Sequence, residues 1–319
     1  MRKYILNRLV WLVIITICVA LIIFTITYFI PGDPAQIILG AGASQADLIH
    51  QREILGLDKP FLAQLGDYMY SLLHLDFGIS FSFKVPVIEE FAIRLPRTLL
   101  LGIWTLLLTT IVGIPLGVTA ALNRGKIQDT GLLIIAMILI SIPQFWLALL
   151  MVILFSLKLH ILPNAGIGGI EYWIMPILAG ALSGIATTAR QTRSAVLETV
   201  NADFVTTARA KGVPEWRVTY LHMLPNALNP VINMLGMQFA VLIAGSVVIE
   251  SVFSFPGIGL YMLSGINSLD YPVIRGCVLL MAIFSTVVML LTDLAYAFLD
   301  PRIKAQYINA SAKKGAKKK

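Results

Sequence analysis

Charge is scarce in this chain. Asp, Glu, Lys and Arg together make up 13% of its 319 residues, against 58% hydrophobic residues, and the mean hydropathy is +0.84. That balance excludes an ordinary soluble globular domain and marks an integral membrane protein. Cysteine is scarcer still: Cys18 and Cys277 both lie in apolar stretches, which excludes a disulfide framework or a thiolate zinc site. The four histidines, His50, His74, His160 and His222, are scattered, and none has the i, i+4 partner of a helical metal site. A phosphate-binding G-x-x-x-x-G-K-[ST] loop is missing as well. Gly125-Lys126 is followed by Ile127, and Ala120 stands where the first glycine would be, so no nucleotide or other cofactor is expected on this chain.

Within the apolar runs, ionisable groups are few. Ion-coupled carriers place carboxylates or histidines mid-membrane as relays. Here Arg190 and Arg193 fall where the fourth run emerges, Glu250 falls at the outer end of the fifth, and Asp293 sits toward the inner end of the sixth. Asp293 is expected to form a structural pair with an arginine, and the shortage as a whole argues against an ion-coupled secondary carrier.

What is present is a series of long apolar runs, at about Leu9 to Ile30, Thr98 to Leu122, Gly131 to Leu157, Trp173 to Ala189, Val231 to Ile249 and Gly276 to Leu299. Each reaches or approaches the roughly 20 residues that a helix needs to cross a bilayer. The sequence therefore predicts an all-α membrane protein of six transmembrane helices. The first run is too long for a signal h-region and no small-residue cleavage site follows it, so it is expected to stay as helix one.

Orientation follows from lysine and arginine. With the N-terminus inside, the inner segments hold Arg2, Lys3, Arg8, Arg124, Lys126, Arg190, Arg193, Arg209, Lys211, Arg217, Arg302, Lys304 and the five lysines after Ala312, which is 17 of the 24. Both termini are thus expected in the cytoplasm, with residues 300–319 as a basic tail near anionic lipid rather than a nucleic-acid-binding arm.

Residues 31–97 form the most polar large block and read as an extracytoplasmic segment of short helices, too poor in alternation for a sheet. Residues 98–299 follow as a five-helix core. Small residues four apart, Gly113 and Gly117 in helix two and Gly180 and Gly184 in helix four, let backbones approach and make these surfaces candidates to border a pathway. Pro143 and Pro176 are expected to kink helices three and four. Between helices five and six, Phe253, Phe255, Pro256, Gly257 and Gly259 form an apolar, turn-rich stretch. It is either an outer gate that receives cargo or a simple re-entry turn.

One polar, basic stretch interrupts the apolar sequence, from Asn201 to Pro225. It reads as two short helices meeting at Gly212, one from about Asp203 to Lys211 and one opened by Pro214 and ending near Leu224. Trp216, Tyr220 and Leu221 make the second too apolar for a solvated connector, yet it is far too short to span. Such a segment suits a groove on another protein.

Ala208-x-x-x-Gly212, followed by His222-Met223-Leu224-Pro225, resembles the coupling motif E-A-A-x-x-x-G-x(9)-I-x-L-P of bacterial ABC importer permeases. Thr206 and Thr207 replace its first two positions and His222 replaces the isoleucine. The run TARAKG ending at Gly212 is similar to the peptide-importer branch of that superfamily. So are FIPGDPA after helix one, GLDKP and DFGIS in the outer segment, RLPRTL before helix two, VFSFPGIG at 252–259 and DPRI from Asp300.

The resemblance implies an importer permease for dipeptides or oligopeptides, or alternatively for nickel or glutathione, of the subunit type with the larger outer segment. It also implies a second homologous permease, two cytoplasmic ATPase subunits that bind ATP and Mg, and an extracytoplasmic substrate-binding protein. Phe204, Ala208, Arg209, Lys211, Gly212, Trp216, Tyr220, Leu224 and Pro225 would then form the contact with an ATPase subunit.

Overall fold

The computed structural model describes residues 2–40 and 42–299; the side chains of 2–5, 244, 245, 293 and 295–299 are outside that description. The basic tail at 300–319 and the expected pairing of Asp293 therefore lie outside the described residues. Among the described residues there are helices and no strand, with a single isolated bridge between Ile79 and Pro86.

Helix α1 spans Arg2–Phe29. Three short helices follow, α2 (Pro34–Leu39), α3 (Gln45–Ile54) and α4 (Phe61–Leu73). Asp33 caps α2 by accepting from the Ala35 N–H, and it also accepts from Arg52 Nη2 at 2.6 Å. The Arg52 guanidinium holds the Asp33 carboxyl below its usual range. The long helix α5 covers Val87–Leu122, then α6 covers Ile127–Ser141 and α7 Gln144–Met151, which continues as a π-helical turn over Val152–Lys158. After α8 (Glu171–Thr199) come α9 (Asp203–Ala210) and α10 (Glu215–Arg217), the latter running through a π-helical stretch, Val218–Met223, into α11 (Leu224–Gly245). The described residues end in α12 (Val247–Val252), α13 (Ile258–Asn267) and α14 (Tyr271–Leu299).

Among the described residues five helices are long and apolar enough to cross a membrane, and α6 with α7, continued to Lys158, makes a sixth span only as a broken pair bent by 97°. The break is sharper than a kink because Pro143 does more than remove one hydrogen bond. Ile142, just before it, is extended (φ −79°, ψ 124°), as a pre-proline residue tends to be, and Pro143 starts the next helix as its N-cap. Pro176, by contrast, stays inside a continuous α8.

Helix two differs from expectation in starting at Val87 rather than near Thr98. Glu89 and Glu90 in its first turn favour an N-terminus there. At 36 residues it is about 54 Å long, well beyond the ~30 Å of hydrocarbon, so its first turns project from the apolar slab.

The chain divides into two compact units. The first holds residues 100–243 with the described parts of 1–4 and 288–319. Here the small residues of α5 meet α8 closely: a Cβ at Gly113 would stand 2.8 Å from Thr188 Cβ, and one at Gly117 would stand 2.4 Å from the Ala189 carbonyl oxygen. Asp129, buried in the first turn of α6, accepts from Arg193 on α8 at 2.5 and 2.8 Å. The second unit holds residues 5–99 and 244–287. Of the apolar window in α1 only 17% is buried within the chain.

Candidate functional site

The polar stretch at 201–225 folds as a helix, a turn and a second helix. Helix α9 ends at Ala210 because Gly212 adopts the left-handed conformation, φ +74°. Two bonds close the turn, Gly212 N–H to the Arg209 carbonyl at 2.9 Å and Val213 N–H to the Ala208 carbonyl at 3.2 Å, the pair of a Schellman motif. Arg209 locks it from the side, donating Nε to Glu215 Oε1 at 2.8 Å across the turn and Nη1 to the Val200 carbonyl at 3.3 Å. Pro214 then caps the second helix.

That second helix does not end near Leu224 as the sequence suggested. It runs on through the π-helical stretch, with Pro225 and Pro230 inside, into the fifth span, so Glu215–Ile243 is one candidate span. The wider π turn precedes Pro225, which has no N–H to continue the α pattern, and Asn226 Nδ2 donates to the His222 carbonyl at 2.8 Å. The segment is therefore the tip of a continuous membrane helix rather than a separate short helix.

The segment is two-faced. Val205, Ala208, Val218 and Met223 are buried in one cluster with Val118 and Ala121 of α5, Val196 of α8 and Val231 of α11. On the other face Phe204, Trp216, Tyr220 and Leu221 are 44%, 58%, 55% and 61% exposed, although all four are large and apolar. Lys211 and Pro225 are exposed, Leu224 is half-buried, and the Arg217 guanidinium lies 5.1 Å from the Trp216 ring. Of the residues expected at this contact, Ala208 is thus a core residue and Arg209 an exposed brace across the turn, while Phe204, Trp216 and Tyr220 are exposed.

The other candidates are placed differently. Gly180 and Gly184 are buried inside the first unit, where a Cβ at Gly184 would come within 2.9 Å of Thr109 Oγ1 and 2.7 Å of Gln238 Nε2. In the second unit the stretch 252–259 is a tight link between α12 and α13. Phe253 and Phe255 are buried there, Gly257 and Gly259 are buried, and Pro256 is half-buried.

The organiser of that link is a residue the sequence reading left at an interface. Glu250 is fully buried; it accepts from Thr98 Oγ1 at 2.8 Å and the Leu260 N–H at 3.0 Å, and also from Ser246 and the Gly259 N–H. Thr98 Oγ1 in turn accepts from the Ile258 N–H at 2.9 Å. A Cβ at Gly257 would lie 2.4 Å from the Glu250 carboxyl carbon, so only glycine permits the approach.

A family model described as binding-protein-dependent transport system inner membrane component matches residues 113–305, and a companion model for the N-terminal part of such components matches residues 1–102. The chain belongs to this family. It is a multi-pass permease component of a transport complex. A Brucella abortus protein provisionally named a peptide transport system permease is 39% identical over 312 residues, covering 95% of this chain and 99% of that one. The dipeptide transport system permease DppB of Escherichia coli K12 is 34% identical, over 95% of this permease and 99% of its own length. In fold, the permease is similar to the MetNI methionine ABC transporter in an inward-facing conformation, with a TM-score of 0.56 at 20% identity, over 67% of this chain and 97% of that one.

Proposed function

We propose that this permease is a pathway subunit of an ATP-driven importer of dipeptides or oligopeptides in the cytoplasmic membrane. The observation that carries the reading is the exposed patch of Phe204, Trp216, Tyr220 and Leu221 on a tip whose opposite face is locked into the membrane helices. Large apolar groups on a rigid polar tip suit a groove on a partner. The partners that fit are two cytoplasmic ATPase subunits, which would bind ATP and Mg, together with a second homologous permease and an extracytoplasmic substrate-binding protein. No cofactor, metal or nucleic acid is assigned to the chain itself. Peptide cargo is supported by the names of the relatives, and their similarity spans nearly the whole chain.

Co-purification in mild detergent, followed by reconstitution into vesicles, tests the reading. The permease should retain two ATPase subunits and a second permease, and vesicles supplied with the binding protein should take up labelled dipeptide only with ATP. Purification alone with uptake driven by an ion gradient would overturn it in favour of a carrier, and uptake of nickel or glutathione in place of peptide would reassign the cargo.

The N-in, C-in arrangement has its own test, motivated by the partition of basic residues. Single cysteines at Gly125, Glu215 and Ala312 should react with impermeant thiol reagent only after the membrane is opened, and ones at Gln64 and Gly168 in intact spheroplasts. The reverse pattern would invert the topology.

A further inference from the structure

We propose that the second unit holds one phospholipid, its phosphate on Arg275 and an acyl chain in the apolar furrow along α1 and α14. Arg275 lies about one turn into α14, and its guanidinium is ringed by aromatic groups, with ring centres at 4.6 Å for Phe24, 5.6 Å for Tyr68 and 5.7 Å for Tyr271. Of its five N–H donors, only Nε has a protein acceptor among the described residues, Thr27 Oγ1 at 2.6 Å. The Tyr68 hydroxyl beside it is buried and has no partner among the described residues.

Arg275 and Tyr68 border a cavity of about 450 Å³. Three carboxylates also line it, Glu53, Asp67 and Asp76, and none is within ion-pair distance of Arg275. Asp67 is paired with Lys59 at 2.6 Å, and Asp76 accepts from the Gly78 N–H at 2.9 Å. A half-buried guanidinium with unfilled donors, facing a void, calls for an oxyanion.

The body of that ligand is read from the neighbouring void. A furrow of about 280 Å³, lined by Thr16, Ala20, Leu72, Phe77, Leu279 and Ile283 among others, adjoins the cavity, and Phe77 borders both. Ala20 lies one helical turn before Phe24 on α1, and Leu279 one turn after Arg275 on α14, so head site and furrow are stacked along the same two helices. An oxyanion joined to a long apolar chain, at a membrane interface built of phospholipid, points to a phospholipid. Its phosphate would sit at the end of α1, the interfacial level where aromatic residues gather. A free anion or a peptide carboxylate has nothing with which to fill the furrow.

Native mass spectrometry of the full-length chain in mild detergent, titrated with dioleoylphosphatidylglycerol, tests this. The wild type should hold one lipid that glycerol 3-phosphate and trialanine fail to displace, and dioleoylglycerol should bind far more weakly. Arg275→Met should lower occupancy about tenfold, as expected for loss of a charge-assisted contact. Arg275→Lys, which keeps the charge if the Met variant does not fold, should retain the lipid. Ile283→Trp, filling the furrow, should lower lipid occupancy too. Equal lipid retention by Arg275→Met and Ile283→Trp would overturn the proposal. So would displacement by glycerol 3-phosphate or trialanine, which would make the site one for a soluble anion. The result is independent of whether the tip at 201–225 docks an ATPase.

Discussion

Gly212→Val should leave membrane insertion and expression near wild type, yet lower retention of the ATPase subunits and depress transport and substrate-stimulated ATP hydrolysis together. Nothing lies within 4 Å of the position a Cβ would occupy at Gly212, so the substitution meets no clash. The whole effect is conformational. At φ +74° a side chain costs on the order of 1–2 kcal/mol, and more for a β-branched residue. That is too little to unfold a protein of long membrane helices, but at about 1.4 kcal/mol per factor of ten it shifts the population of the correct tip roughly tenfold. Coupling exists only if the docked element differs in free energy between two states of the transporter, so loss of the tip geometry uncouples them.

Gly212→Asn is the discriminating control, because asparagine tolerates the left-handed region and should keep most activity. Trp216→Ala should resemble the valine variant through lost contact area, with no change in the tip itself, since its ring is exposed. Arg217→Ala should be milder, as an exposed charge contributes little. Wild-type transport by Gly212→Val with its ATPases fully bound would remove this segment from the coupling role.

The helices and the Gly212 turn were legible because their signals are local. Apolar runs of spanning length, glycine after α9 and proline before α10 each act within a few residues. The GxxxG spacing in α5 was equally readable, and Gly113 and Gly117 do let α8 approach. Long-range pairings were not readable. Asp129 and Arg193 are 64 positions apart, and nothing near either names the other. The continuation of α10 through the π-helical stretch into α11 was masked by Pro225, which in sequence reads as a stop.

The same limit applies to the motif fragments of the outer segment, which look like isolated turns until the structure pairs them. Ser80 of DFGIS donates to Asp270 at 2.7 Å, and Thr98 of RLPRTL bridges Glu250 and Ile258 of the VFSFPGIG region. These segments are two halves of shared contacts separated by more than a hundred residues. A polar residue at the end of an apolar run gives no sign of which of these it will join.

Glu250 is where this matters most, and its substitution should produce the larger structural effect. All the groups around its carboxyl are donors: Thr98 Oγ1, the Leu260 and Gly259 N–H groups and Ser246. A typical hydrogen bond is worth about 1 kcal/mol net, and a buried donor left without one incurs its full desolvation cost of about 1–3 kcal/mol. Glu250→Ala should therefore lower the melting temperature in detergent and open the 253–259 link to protease. Glu250→Gln should lose part of the same stability, because with its amide oxygen kept on the Leu260 and Gly259 N–H groups its nitrogen meets Thr98 Oγ1, which then has to give up donating there. An isosteric swap at a merely space-filling side chain would be silent.

Thr98→Val should reproduce part of the loss, and the double variant with Glu250→Ala should cost less than the sum, as for residues in one network. Gly257→Ala should give the same phenotype from the other side, by pressing a methyl group to within 2.4 Å of the carboxyl carbon. Since Phe253 and Phe255 are buried in this link, uptake should fall only in step with its unfolding. A Glu250→Gln variant that melts as wild type would sink the donor-cage account. A Gln variant with normal stability and impaired uptake would instead place the carboxylate at the cargo.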